Sequence, residues 1–180
     1  MKISISGIRG IFGQDLNLHA IMNFSRLFAS FIINNSTKTE NKCLVARDTR
    51  PSSYLIFQTV SAAIMEQGIN VLDLGIAPTP LVFHESIKYG NGIIVTASHN
   101  PFEWNGLKFI INGRGIFEKE LDLIQHENIL SSTQFGEMYA LNSNYISDIL
   151  ELLRKSGYLE DNRKKRNTIG LDPGGGAISS

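Results

Sequence analysis

Short apolar runs alternate along this chain with longer stretches whose apolar residues recur every three or four positions. The two periods predict strands alternating with helices. Ile3, Ile5 and Ile8 alternate with polar or small residues and predict a first strand running into Gly7-Ile8-Arg9-Gly10, where two glycines around one arginine predict a tight turn that presents the cation. Between Leu16 and Asn34, the residues Leu18, Ile21, Phe24, Phe28 and Ile32 keep helical spacing, and Asn34-Asn35-Ser36-Thr37 stops that helix with turn-forming residues. Cys43 to Ala46 reads as a strand that opens into Arg47-Asp48-Thr49-Arg50-Pro51-Ser52-Ser53. Pro51 and the two serines suit a helix N-terminus, and Ile56, Val60, Ala63 and Ile64 give that helix its buried side. Gly68 closes it, Ile69 to Leu74 forms a strand, and Gly75-Ile76-Ala77-Pro78-Thr79-Pro80 makes a rigid turn into a helix from about Leu81 to Lys88.

The run Gly92-Ile93-Ile94-Val95 predicts a buried strand that ends in a polar loop, Thr96-Ala97-Ser98-His99-Asn100-Pro101. Strand ends are where α/β proteins place their chemistry. Trp104-Asn105-Gly106-Leu107-Lys108-Phe109 brings the chain back, with a strand over Leu107 to Ile111 and a turn at Asn112-Gly113-Arg114-Gly115. Phe117, Leu121 and Ile124 line a helix that begins with acidic residues, which suit its N-terminal dipole. Ile146, Ile149, Leu150 and Leu153 mark a last helix over about Ser143 to Lys155. The pattern predicts an α/β fold, a mixed, mainly parallel sheet between helices.

Past that helix the composition changes. Arg163-Lys164-Lys165-Arg166 sits in a stretch with few apolar residues and reads as a solvated linker over 158–167. Thr168 to Asp172 predicts a short strand leading into Pro173-Gly174-Gly175-Gly176-Ala177. A strand with a glycine-rich loop is the beginning of a second α/β unit, so 1–157 is expected to be one domain and 168–180 the truncated start of another.

Seventeen basic residues balance seventeen acidic ones in 180, so no net field favours nucleic acid or an anionic membrane. The N-terminus lacks a signal peptide's apolar core and no apolar run approaches the ~20 residues of a membrane span, which predicts a cytoplasmic protein. The single cysteine, Cys43, excludes an internal disulfide framework, and its apolar neighbours make it a core residue.

The chemistry concentrates in the polar loop. Ser98 beside His99 suggests a hydrolase pair, but adjacent residues rarely aim an imidazole at the neighbouring hydroxyl, and the Gly-x-Ser-x-Gly elbow is absent. Phosphoryl transfer fits better. A phosphorylated Ser98 would carry about −1.5 to −2 charges. Arg9 and Lys108 are available as cations, with further donors on His99 and Asn100.

Thr96-Ala97-Ser98-His99-Asn100-Pro101-Phe102-Glu103-Trp104-Asn105-Gly106-Leu107-Lys108-Phe109 resembles the phosphoserine loop of the α-D-phosphohexomutases, the phosphoglucomutase/phosphomannomutase family. Ser6-Gly7-Ile8-Arg9-Gly10-Ile11-Phe12-Gly13 resembles that family's N-terminal arginine motif, and Ala46-Arg47-Asp48-Thr49-Arg50-Pro51-Ser52-Ser53 a segment whose charges mainly brace the loop. The resemblance implies a phosphoserine at Ser98 that exchanges its phosphoryl group with a hexose phosphate through a bound bisphosphate. It implies Arg9 beside that phosphoserine, Lys108 in the general acid/base position, and Mg²⁺ on the phosphoserine oxygens of Ser98. The remaining metal ligands and the sugar-recognition loops are expected in later domains of a parent chain. The fragment by itself is therefore expected to be inactive, with an apolar face prone to self-association. The substrate class implied is a mannose, glucose or glucosamine phosphate. The alternative is a stand-alone, non-catalytic module that binds phosphosugars or a protein on the same fold.

Overall fold

A computed structural model describes residues 1–35, 41–158, 168 and 170–178. The chain begins with β1 (Lys2–Ser4), β2 (Gly7–Ile11), α1 (Leu18–Asn35), β3 (Lys42–Arg47), α2 (Ser53–Glu66), β4 (Asn70–Ile76) and α3 (Thr79–Tyr89). It continues with β5 (Asn91–Val95), β6 (Trp104–Ile111), β7 (Arg114–Gly115), α4 (Glu118–His126), β8 (Met138–Ala140) and α5 (Tyr145–Lys155). The strands form one sheet in the order β1-β2-β6-β5-β3-β4-β8, with β7 also paired to β6. The mixed α/β architecture is the expected one.

Among the named strands, parallel pairing is confined to β5-β3-β4-β8, where helices make the crossovers. The pairs β1-β2, β2-β6, β5-β6 and β6-β7 are antiparallel. The Ser98 loop accounts for much of that half: a connection this short cannot carry the chain back for a parallel strand, so β5 and β6 form a hairpin. Ser98 consequently sits at the end of β5 beside the start of β6.

Alternation in the strands sends residues to two cores. Ile8, Val45, Val95, Leu107 and Phe109 pack against α1, α2 and α4, where the Phe28 ring stacks on Phe109 at 4.7 Å between centroids. Leu44, Ala46, Ile94 and Ile110 pack with Val82 of α3 on the other face. Cys43 is fully buried in the first core, and its loss of hydration pushes the thiol pKa up, which suppresses the reactive thiolate.

The expected first strand is instead a hairpin. Gly7 turns at φ +111°, so Lys2–Ser4 folds back on Gly7–Ile11 and Ile3 and Ile5 stay exposed. Gly7 and Gly106 let β2 and β6 approach closely: a Cβ on Gly106 would stand 2.0 Å from the Ile8 carbonyl oxygen, and one on Gly7 2.1 Å from that of Leu107. Backbone cannot yield as a side chain can. Gly106→Ala is expected to cost about 2–4 kcal/mol, read as a lower urea midpoint with an unchanged slope. An unchanged midpoint would mean that the two strands tolerate a wider spacing.

β8 was not signalled by any run of sequence. Its three residues are all exposed and carry no alternation, so only pairing with β4 makes them a strand. The helix α5 forms where expected, yet none of its residues is buried. It rests on α3 through the His84 Nε2–Asp148 Oδ2 contact at 2.9 Å and the edge of the Tyr145 ring against His84. Ser36, Thr37 and the basic run Arg163–Arg166 lie outside the described residues. Of the strand expected over 168–172, the described residues Thr168 and 170–172 join no ladder. Among the described residues, no helix is long and apolar enough to cross a membrane.

Candidate functional site

The site begins where β5 ends. Asp48 N donates to Val95 O at 3.0 Å and Thr96 N to Gly106 O at 3.0 Å, tying the loop's entrance to β3 and β6. Asn100 N donates to Ala97 O and Trp104 N to Pro101 O, so the loop is two successive tight turns. At its tip Ser98 is exposed and adopts φ +58°, a left-handed conformation that costs a non-glycine residue about 1–2 kcal/mol. Its amide donates to Thr96 Oγ1 at 3.0 Å. The Ser98 Oγ to His99 Nδ1 separation of 3.4 Å is long for a nucleophile–base pair.

Arg50 holds the strained tip. Its Nε donates to Asp48 Oδ2 (2.9 Å), Nη1 to the carbonyls of Pro101 (2.5 Å) and Trp104 (3.1 Å), and Nη2 to those of Ser98 (2.6 Å) and Asn100 (2.8 Å). A guanidinium has five N–H donors. All of them are engaged, so Arg50 has none left for a ligand and acts as a brace. Asp48 is equally committed, accepting from Arg50 N, Arg50 Nε, Ser53 Oγ (2.5 Å) and Thr96 Oγ1 (2.7 Å). The serines ahead of α2 begin that helix as expected, but Ser52 makes no capping bond. The hydroxyls of Ser52 and Ser53 instead receive the buried Asn105 amide at 2.8 and 2.9 Å.

Arg9 departs from its expected place at a turn. It lies within β2, paired with Gly106, so the absence of a side chain there leaves room for its stem, with a Gly106 Cβ position 3.0 Å from Arg9 Cγ. Two residues along β6, Lys108 points to the same face, and its Nζ stands 4.9 Å from the centre of the Phe83 ring. Burial, then the positive charge of Arg9, hold the Lys108 pKa below the ordinary 10.5. Between its folded pKa and 10.5 the unfolded chain binds the extra proton, so this group makes stability rise with pH in that window.

A cavity of about 470 Å³ opens at the loop, lined by Ser98 and Asn100 together with Asp48, Thr49, Pro78 and Gly175, among others. His99 is exposed next to Ser98 on the same loop, whereas Arg9 on β2 and Lys108 on β6 do not line the cavity; Arg9 donates to Ser6 O and Lys108 lies over Phe83. No cluster of three His, Cys, Asp or Glu that could hold a metal occurs among the described residues. Asp48 is fully engaged, so the metal donors open at the tip of this loop are Ser98 Oγ and the side chains of His99 and Asn100. The Arg50 clamp is the feature that sequence reasoning left undervalued: the charge pattern was visible, but not its four carbonyl partners.

The match to known proteins follows this geometry. Residues 1–133 match the family model described as phosphoglucomutase/phosphomannomutase, α/β/α domain I. A probable phosphoglucosamine mutase of Methanosphaera stadtmanae is 33% identical over 158 residues, covering 81% of this chain and 34% of the relative. A phosphoglucosamine mutase of Campylobacter fetus is 38% identical over 151 residues, covering 80% and 33%. The chain thus spans about a third of the length of the curated relatives it matches. A crystal structure of a phosphoglucomutase/phosphomannomutase family protein from Burkholderia thailandensis superposes with a TM-score of 0.67 at 24% identity, over 87% of this chain and 36% of that one, a likeness of fold. The Ser98 loop, its brace and the sheet that carries them are those of a chain that belongs to the phosphoglucomutase/phosphomannomutase family and contains its α/β/α domain I.

Proposed function

We propose that this chain is the phosphoserine domain of a phosphohexomutase, which moves a phosphoryl group between the 1- and 6-positions of a hexose phosphate. The observation that carries the reading is an exposed serine held at φ +58° by an arginine with no other work. Such strain is maintained where a reacting atom must be presented. The curated relatives called phosphoglucosamine mutases favour a glucosamine phosphate over glucose or mannose phosphates as substrate.

In the transfer, a sugar hydroxyl attacks the phosphorus of phospho-Ser98. A sugar O–P bond forms as the Ser98 Oγ–P bond breaks, and the hydroxyl proton passes by way of Lys108 Nζ to Ser98 Oγ. Neutral sugar hydroxyl and phosphoserine become sugar phosphate and serine, so atoms and charge balance. The depressed pKa of Lys108 suits a group that must both take and give a proton. Arg9 supplies positive charge near the transferring group, and His99 and Asn100 supply donors to its oxygens. Mg²⁺ bound to the phosphoserine oxygens of Ser98 would neutralise part of the developing charge. Its other ligands come from outside the described residues, in further domains of a longer parent protein, with 1–157 as the first domain, 158–167 as linker and 168–180 as the start of the next. The setting is the cytoplasm.

The intact mass of the protein from its native source tests the reading. A mass well above the 20.0 kDa of this chain, with one phosphate mapping to Ser98, is expected. A 20.0 kDa protein without phosphate would overturn it in favour of a non-catalytic binding module.

The Lys108 assignment has its own test. Titration of its side chain by NMR is expected to give a pKa below 10.5, and Arg9→Gln to recover the smaller part of the difference, because burial is the larger cause. No upward movement in Arg9→Gln would remove Arg9 from the electrostatics of Lys108.

A further inference from the structure

The glycine run Gly174-Gly175-Gly176 has no part in the loop or its brace, yet it lies at the same cavity. Thr49 stands between Asp48 and Arg50, both committed to the Ser98 loop. Its hydroxyl turns the other way and donates to Gly175 O at 2.8 Å, across 126 positions of sequence. The turn it meets is closed on itself, with Gly174 N donating to Asp172 Oδ1 at 2.8 Å and Gly176 N to Pro173 O at 2.9 Å. Gly174, Gly175 and Gly176 then line the cavity of about 470 Å³ opposite Ser98 and Asn100. Gly174 and Gly175 adopt φ +58° and +71°, where glycine alone is unstrained, and a Cβ on either would project into open space. Bare backbone therefore faces the cavity.

We propose that Thr49 is a positioning residue that seats the Gly174–Gly176 turn against the Ser98 cavity, so that the turn's backbone is the cavity wall a phosphosugar meets. This rests on the phosphoserine reading above and names an element of the same site. A closed turn has already lost much of its conformational freedom, so the Thr49 hydrogen bond costs little further ordering.

Amide hydrogen exchange on the full-length parent protein, which carries the sugar-recognition loops, reads the seating. Thr49→Val removes the hydroxyl at nearly constant shape and is expected to speed exchange at Gly174–Gly176 about three- to tenfold, the effect of one hydrogen bond. Thr49→Ser keeps the hydroxyl and is expected to restore slow exchange. Saturating glucosamine 6-phosphate is expected to slow exchange of the turn further in the wild type and less in Thr49→Val. Unchanged exchange in Thr49→Val overturns the seating, and no added protection by the sugar phosphate overturns the wall. Transfer of phosphate to Ser98 from a hexose 1,6-bisphosphate is followed alongside by intact mass. Transfer without protection of the turn sinks this inference alone, whereas protection without transfer sinks the phosphoserine reading and leaves the wall as part of a binding site.

Discussion

Exposed to a hexose 1,6-bisphosphate, the full-length parent protein is expected to gain one phosphate on Ser98, and its Ser98→Ala variant none. Removing the acceptor oxygen removes the reaction, so the effect is complete rather than graded. His99, whose Nδ1 is 3.4 Å from Ser98 Oγ, offers the nearest rival acceptor, and phosphate found there instead would sink the assignment. Ser98→Gly separates chemistry from conformation. Glycine takes φ +58° without penalty, so that variant should be more stable than the wild type by about 1 kcal/mol while accepting no phosphate. A stability loss in Ser98→Gly would mean that the serine is not strained and that its geometry carries no functional argument.

The second large effect is expected at Arg50. Arg50→Ala strands the largely shielded carboxylate of Asp48 and frees the carbonyls of Ser98, Asn100, Pro101 and Trp104. Breaking this part-buried, hydrogen-bonded ion pair is expected to cost about 2–3 kcal/mol, less than the loss of a fully buried one. Ser98 would then leave its productive position, and a displacement of about 1 Å is enough to slow a reaction roughly a hundredfold. Phosphate transfer to Ser98 should therefore fall by about that factor in Arg50→Ala. Arg50→Lys should restore little, since three ammonium donors cannot span five acceptors in one plane. Full activity in Arg50→Lys would show that charge, not the fork, holds the loop. Exchange of the amides over 97–104 gives an independent reading, expected to rise in both variants.

Several features of the fold were legible because they depend on local pattern. The period of α1 and α2, the apolar run of β5 and the composition of the Ser98 loop each state their structure within a few residues. Other features depend on partners far away in sequence. Arg9 reads as a residue of a glycine turn, but β2 exists because Gly106 and Leu107 of β6 accept it as a neighbour. Nothing in Met138-Tyr139-Ala140 announces a strand until β4 lies beside it. Ser52 and Ser53 resemble capping residues, but Asn105 reaches their hydroxyls from 53 and 52 positions away.

The sequence by itself determined the alternating α/β pattern, the loop that carries Ser98, and the family to which both belong. Tertiary structure decided that Ser98 is held in a left-handed conformation, that Arg50 spends all five donors holding it there, and that Arg9 and Lys108 share one face of adjacent strands. It also decided that Thr49 reaches the glycine turn at the same cavity. The division has a physical cause. Periodicity and turn propensity act between near neighbours along the chain, whereas strain, donor saturation and a lysine's pKa depend on groups brought together only when the sheet assembles.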